Sequence, residues 1–281
     1  MEENVWLTAR TALVDRYLDG RLPRAGEAPE ALHGAMRHLV FPGGKRLRPA
    51  LVFAGCEAAG GSHERALPAA AAVELVHTYS LIHDDLPCMD DDDLRRGRPT
   101  VHMAYGEANA VLAGDALLAF AFELLADAEG SCGAGAVAWC TRTLAVAAGS
   151  RQLVGGQADD LAFAAGGPVT VERVESVHRR KSAALISASV ACGARLAGAS
   201  SELLAQLAAF GEEVGVAFQI ADDLLDAGRR EACSSVAVMG AAAARERSEK
   251  LLAGALRRIG GLGEKAAALR MLAELAVRRD A

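Results

Sequence analysis

Residues 69–98 read AAAAVELVHTYSLIHDDLPCMDDDDLRRGR. The first half, Ala69–His83, sets apolar residues at three- and four-residue steps, the period of an amphipathic helix. The second half changes character abruptly: six of the ten residues from Asp84 to Asp93 are Asp, and Arg95, Arg96 and Arg98 follow. Asp84 and Asp85 therefore end an apolar helix at the terminus where the macrodipole disfavours unpaired anions. One reading is a solvated acidic helix end stopped by Pro87. The other is a site in which carboxylates bind a hard divalent cation while neighbouring guanidiniums grip phosphate oxygens, as a magnesium diphosphate requires.

The same helical period recurs outward from this segment, in Ala108–Asp127, Val171–Leu196, Glu202–Asp226 and Ala241–Ile259. Gly20–Glu30 and Ala164–Thr170 carry turn chemistry at the length of ordinary connections. The expectation is an all-α protein: a single large bundle of about ten helices spanning residues 1–281, whose centre can hold a ligand site. Composition agrees. The chain has 281 residues, 61 of them Ala, is 52% hydrophobic and only 4% aromatic, which favours helix over extended sheet. Its 30 Lys and Arg against 36 Asp and Glu leave a net charge of −6, against a general nucleic-acid binder.

Charge-free stretches such as Ser182–Ala194 are shorter than the roughly 18 residues of a membrane span, so no stable membrane insertion is expected. The first residues carry no basic segment followed by an apolar one, so a cytoplasmic protein is expected. The six cysteines form no CxxC pair and read as small core residues in a reducing compartment.

Two further clusters carry chemistry. Phe218–Asp226, FQIADDLLD, places Asp222 and Asp226 four residues apart on one helical face. Carboxylates on a helix this apolar need partners, either a metal or salt bridges to Arg229, Arg230 or distant lysines. Phe41–Pro49, FPGGKRLRP, concentrates Lys45, Arg46 and Arg48. It lacks the earlier Gly and the Ser or Thr of a P-loop, leaving a basic surface turn or a second phosphate site. Lys181, in HRRKS, and Gln157 and Asp160, in GGQADDL, add polar groups to apolar helices.

Taken in order, GGKRLRP, HTYSLIHDDLPCMDDDDLRRGRPT, GGQxxD, HRRKS and FQIADDLLD resemble the trans-isoprenyl diphosphate synthase (polyprenyl synthetase) family over nearly the whole chain. The resemblance implies a large helical bundle with a deep central cavity, usually homodimeric. Its activity would be head-to-tail condensation of isopentenyl diphosphate with an allylic diphosphate. It further implies that Asp84, Asp90 and Asp222 ligate Mg²⁺, with Asp85 and Asp226 supporting that shell. Arg95, Lys181, Ser182 and Gln219 would contact the allylic substrate. Lys45, Arg48, His77 and Arg96 would hold the isopentenyl diphosphate. Asp84, Asp90, Asp222, Arg95 and Lys181 would carry the catalytic burden, with no side-chain nucleophile.

Chain length is expected to depend on Tyr79 and its neighbour Ser80. Tyr79 lies five residues before Asp84, about 7.5 Å deeper on a continuous helix, where an aromatic would floor the growing chain unless it serves core packing alone. With the two-residue insertion Pro87–Cys88, this pattern resembles the bacterial type of farnesyl diphosphate synthase. Geranylgeranyl-forming relatives tend to be smaller at that position. Two other enzyme classes fit less well: a terpene cyclase would not need the second diphosphate site, and a phosphohydrolase built on His77, His83 and Asp84 would leave Asp222–Asp226 without a role.

One departure from the family pattern stands out. After Asp226 a dozen or more residues are missing, Cys233–Ala237 replaces a Lys-to-Pro segment, and a lysine expected on the allylic diphosphate is lost. One charge-assisted hydrogen bond is worth about 1.5–3 kcal/mol. Arg229 and Arg230 are the candidate substitutes, and a non-catalytic synthase-like subunit is the alternative if nothing replaces that lysine.

Overall fold

The computed structural model describes residues 2–164, 166, 169–226 and 233–278, and its architecture is all-α. Helices α1 (Glu2–Arg21), α2 (Glu30–Val40), α3 (Leu47–Ala58) and α4 (His63–Asp84) lead into a two-stranded hairpin, β1 (Leu94–Arg95) and β2 (Arg98–Pro99). There follow α5 (Val101–Tyr105), α6 (Glu107–Ala126), α7 (Glu129–Cys132), α8 (Ala134–Ala148), α9 (Leu153–Ala164) and α10 (Val171–His178). A π-helical turn, Arg179–Ala183, joins α10 to α11 (Ala184–Leu196). The chain closes with α12 (Ser201–Leu225), α13 (Ser235–Met239), α14 (Ala241–Ile259), a 3₁₀ segment and α15 (Ala267–Val277).

The count exceeds ten because α5, α7 and α13 have five residues or fewer, too short to show a period. Conversely, Val171–Leu196 reads as one helix in sequence and is interrupted by the π turn. Arg229 and Arg230 lie outside the described residues, as do Ala165, Gly167 and Pro168 of the predicted turn.

Helix α4 is the centre of the bundle. It packs on α3, α6 and α11, and α12 packs on α11 and α14. Small side chains bring the axes together: along α4, Ala66, Ala69, Ala70, Ala71 and Ala72 are all buried. At the α3–α11 crossing a Cβ on Gly55 would stand 2.2 Å from the Val190 carbonyl oxygen, and one on Gly193 1.9 Å from that of Val52. Those approaches need glycine. Apolar burial then supplies the main favourable energy, at about 25 cal/mol per Å².

Among the described residues, two stretches are long and apolar enough to cross a membrane, Glu107–Cys132 and Ser201–Leu225. The second carries a core face that buries Leu207, Phe210 and Val214. The first leaves Val111 and Leu112 exposed on the outside of α6. The cysteines correct the sequence expectation in part: Cys56, Cys140 and Cys192 are buried, but Cys88 is exposed and Cys132 and Cys233 are half-buried. All six are free thiols.

Candidate active site

The acidic segment folds back on the end of α4. The Asp90 N–H donates to the Asp84 carbonyl at 2.9 Å, the Met89 N–H to Leu86 at 2.8 Å, and Asp91 takes φ 55° to close the loop. The Pro87–Cys88 pair thus sits inside a tight turn that returns Asp90 to the helix end. The β1–β2 hairpin follows, and Arg95 Nε donates to Asp85 Oδ1 at 2.6 Å. Asp85 is fully buried and its other oxygen has no hydrogen-bond partner. In this arrangement Asp85 braces Arg95.

Across from this segment, α9 and the π turn contribute the opposite charge. Lys181 Nζ donates to Asp160 Oδ2 at 2.6 Å. Asp160, Asp84 and Asp90, in that order, hold the ammonium protonated against the desolvation that would lower its pKa. Asp84 experiences the converse. Burial, reinforced by Asp90 and Asp85, pushes its carboxyl up to about 7 despite Lys181 and Arg95. Gln157, from the same motif as Asp160, is buried with both amide atoms unpartnered, an unmet hydrogen-bonding capacity next in sequence to Gly156, which packs on the Lys181 backbone. Ser182 Oγ donates to Gln219 Oε1 at 2.7 Å, tying the π turn to α12. Such turns recur at functional sites because they re-aim side chains within a helix.

The basic turn and His77 meet at a separate cavity of about 580 Å³. Lys45, Arg48, His77 and Arg96 line it, closed on one side by Thr8 and Thr11 of α1 and by Leu275 of α15. Lys45 is exposed and Arg48 half-buried. Burial, then Arg48 and Arg96, hold the His77 imidazole well below its usual pKa. It is neutral at pH 7 and can both donate and accept.

Helix α12 joins the two halves. Phe218 lines the basic cavity, Gln219 bonds Ser182, and Asp222 lies within electrostatic reach of Arg48. Asp223 points elsewhere: it is buried, accepts the Ser235 N–H at 2.6 Å and stands 3.5 Å from His178 Nε2. It fastens α13 to α12. Asp226 caps the end of α12.

The structure thus brings Asp84, Asp85, Asp90, Arg95 and Lys181 into one cluster and Lys45, Arg48, His77 and Arg96 into another. Tyr79 and Ser80 lie on α4 beneath the first. Tyr79 is 5% exposed, edge-on to His83 at 5.9 Å between centroids, with its hydroxyl unpartnered. Sequence reasoning gave no role to Glu74, Asp15 or His178. The signal for Glu74 was present: a lone acid in the apolar run AAAAVELV, which is costly to bury unless paired.

Among the described residues no three His, Cys, Asp or Glu converge into a ready metal site. The pair Asp84 and Asp90 still fits Mg²⁺, which keeps waters and binds through one or two carboxylates plus substrate phosphates.

An all-α bundle with an acidic cluster and a cationic cavity linked by one helix defines a class of protein built to hold anionic substrates at its centre. The chain belongs to the polyprenyl synthetase family, whose model, Polyprenyl synthetase, matches residues 29–236. A chloroplastic geranylgeranyl pyrophosphate synthase of Capsicum annuum is 44% identical over 222 residues, which cover 79% of this chain and 60% of that protein. A geranylgeranyl diphosphate synthase of Cyanophora paradoxa is 43% identical over 79% of this chain and 73% of its own. The chain therefore spans about 60% of the length of the Capsicum relative. Solved structures match end to end: an FPP/GFPP synthase from Zymomonas mobilis superposes with TM-score 0.92 at 37% identity, covering 98% of this chain and 99% of that one. A geranyltransferase from Helicobacter pylori, complexed with magnesium and isoprenyl diphosphate, superposes with TM-score 0.84 at 29% identity, covering 99% and 97%.

Proposed function

We propose that this chain is a single-domain, cytoplasmic, homodimeric trans-prenyltransferase that condenses isopentenyl diphosphate head-to-tail with dimethylallyl or geranyl diphosphate, giving farnesyl diphosphate. The observation that carries this reading is the pairing of two unlike sites through α12. Two anionic substrates need two sites, and only one of them has to ionise. The family match and the synthases it resembles support the same chemistry.

Asp84, Asp90 and Asp222 would hold Mg²⁺, with Asp85 and Asp226 behind them. The metal would offset the charge developing on the departing diphosphate. Lys181, Arg95 and Gln219 fix that diphosphate, Arg95 from its brace on Asp85 and Gln219 from its bond to Ser182. The cationic cavity holds isopentenyl diphosphate with its double bond toward the allylic carbon, and Lys45, Arg48, Arg96 and neutral His77 supply donors without any metal. Apolar walls exclude water, which would quench an allylic cation. The exposed apolar face of α6 around Val111 and Leu112 suits a second copy of the chain.

Tyr79 supports farnesyl as the product: a buried aromatic on α4, below Asp84, limits the depth available to the growing chain. A second reading, geranylgeranyl diphosphate, is favoured by the names of the relatives. Incubation of the purified protein with Mg²⁺, isopentenyl diphosphate and each allylic primer, followed by product sizing, separates them. The farnesyl reading expects C15 from the wild type and longer products from Tyr79→Ala. C20 from the wild type, or an unchanged spectrum in the variant, removes it. No product with any primer favours a non-catalytic subunit. Arg229→Ala/Arg230→Ala should weaken allylic binding more than isopentenyl binding if those residues replace the missing lysine.

A further inference from the structure

The three cations of the basic turn look equivalent in sequence and are not equivalent in space. Arg46 precedes α3 with φ 50° and ψ 34°, a left-handed conformation that costs a non-glycine residue energy. That reversal turns its side chain inward, where it is 2% exposed. Each guanidinium nitrogen is committed: Nε to Asp15 Oδ1 at 2.9 Å, Nη1 to Glu74 Oε1 at 2.6 Å and Nη2 to the Val40 carbonyl at 2.8 Å. Every guanidinium nitrogen of Arg46 is thus tied to the protein, although Arg46, Asp15 and Glu74 all border the cavity. The turn is wrapped around it. A Cβ on Gly43 would fall 2.1 Å from Arg46 Cζ, and one on Gly44 2.5 Å from Arg96 Nη2.

Glu74 is 3% exposed and stands three residues before His77, on the same face of α4. It also lies within electrostatic reach of Arg48 and Arg96. One buried carboxylate therefore connects the helix that carries His77 with the turn that carries Lys45 and Arg48.

We propose that Glu74, acting through Arg46 with Asp15, is a positioning residue for the second substrate: it fixes the Gly43–Arg48 turn so that Lys45 and Arg48 face the cavity opposite His77. This rests on the reading that the cavity holds isopentenyl diphosphate. Two physical effects of removing the Glu74 charge have opposite signs. Through-space electrostatics alone would make an anion bind more tightly in Glu74→Gln. Loss of positioning would make it bind more weakly, because Arg46 would lose the partner that anchors the turn.

The test is calorimetric titration of wild type and Glu74→Gln with isopentenyl diphosphate in the presence of a chelator, with KM values for both substrates and a thermal melt. The expected result is roughly tenfold weaker isopentenyl diphosphate binding with an allylic KM within about twofold of wild type. Unchanged or tighter binding overturns the proposal, as does an equal rise in both KM values. A merely structural role would lower the melting temperature without separating the two substrates. If Glu74→Gln does not fold, Asp15→Asn reads the same linkage from its half-exposed end, with a smaller loss in the same direction expected and no loss counting against the proposal. A wild type that binds isopentenyl diphosphate but makes no product would defeat the assigned activity while leaving the titration decisive. A wild type that does not bind it defeats both.

Discussion

The acidic cluster and the cationic cavity solve the problem of buried charge in opposite ways. Around Asp84 the balance is left open: like charges crowd one another, burial raises the Asp84 carboxyl to about 7, and Gln157 keeps an unspent amide. Around Arg46 the charges are closed into a network with every guanidinium nitrogen bonded. The first site is left open to what binds it; in the second the turn is braced from within by Arg46, and Arg48 Nε is the buried donor left without a partner. On the proposed reading, a diphosphate that must leave is best held by something whose affinity grows as charge develops. A diphosphate that must stay needs a rigid seat.

Four experiments put that contrast to the test. Asp84→Asn should have the largest effect, lowering kcat by about 10³-fold or more through loss of transition-state stabilisation, while isopentenyl diphosphate binding stays within about twofold. A parallel loss at both sites, measured by single-turnover kinetics and titration, would show that the halves are not independent. Chelation should come next: removing divalent ions should weaken binding of a non-ionisable allylic diphosphate analogue by roughly 100-fold or more, as expected when carboxylates meet phosphates without a bridging cation. Isopentenyl diphosphate binding should be unaffected. Arg48→Ala should give the mirror image, raising the isopentenyl KM by roughly 10- to 100-fold, the loss of one charge-assisted hydrogen bond, with the allylic KM little changed.

The smallest effect is on stability. A carboxyl whose folded pKa is raised binds its proton more tightly in the folded state than in the unfolded one. Its contribution is present below the unfolded pKa near 4 and is lost as pH rises through about 7. Metal-free wild type should therefore lose stability between pH 4 and pH 8 relative to Asp84→Asn, by about 2–3 kcal/mol. Denaturant melts at the two pH values check it. Parallel curves for the two proteins would mean that Asp84 is not strained by burial.

Much of this site can be read from sequence because charge in an apolar helix is expensive and therefore conspicuous. Asp84, Asp222 and Lys181 announce themselves in that way. Arg46 does not: it passes as one more cation of a basic turn beside Lys45 and Arg48, and its left-handed backbone becomes apparent only in the structure. Asp223 is hidden for a similar reason, since the residue after Asp222 looks like part of one acidic motif yet faces α13. The bundle follows from the 3.6-residue period, but the short helices fall below the length at which a period shows. Cys88 sits in the returning turn between Pro87 and the Asp run, where a cysteine's usual preference for the core does not hold and the thiol is exposed.

The π turn at Arg179–Ala183 carries a consequence for the design of variants. Each residue advances a regular helix by 100°, so a turn holding one residue more than the α pattern sets the helix after it out of phase with the helix before it. Val174 and Val177 of α10 and Ile186 and Val190 of α11 are all buried, although a regular helix could not carry both groups on its present faces. Deleting a single residue here would regularise the hydrogen bonding with both flanks near their present phase, whereas regularising the turn with every residue kept would rotate one flank by about 100° relative to the other. With every residue kept, local regularity and the common aim of two flanks are alternatives at this point of the chain, and the irregular ladder is what lets one continuous rod serve two orientations.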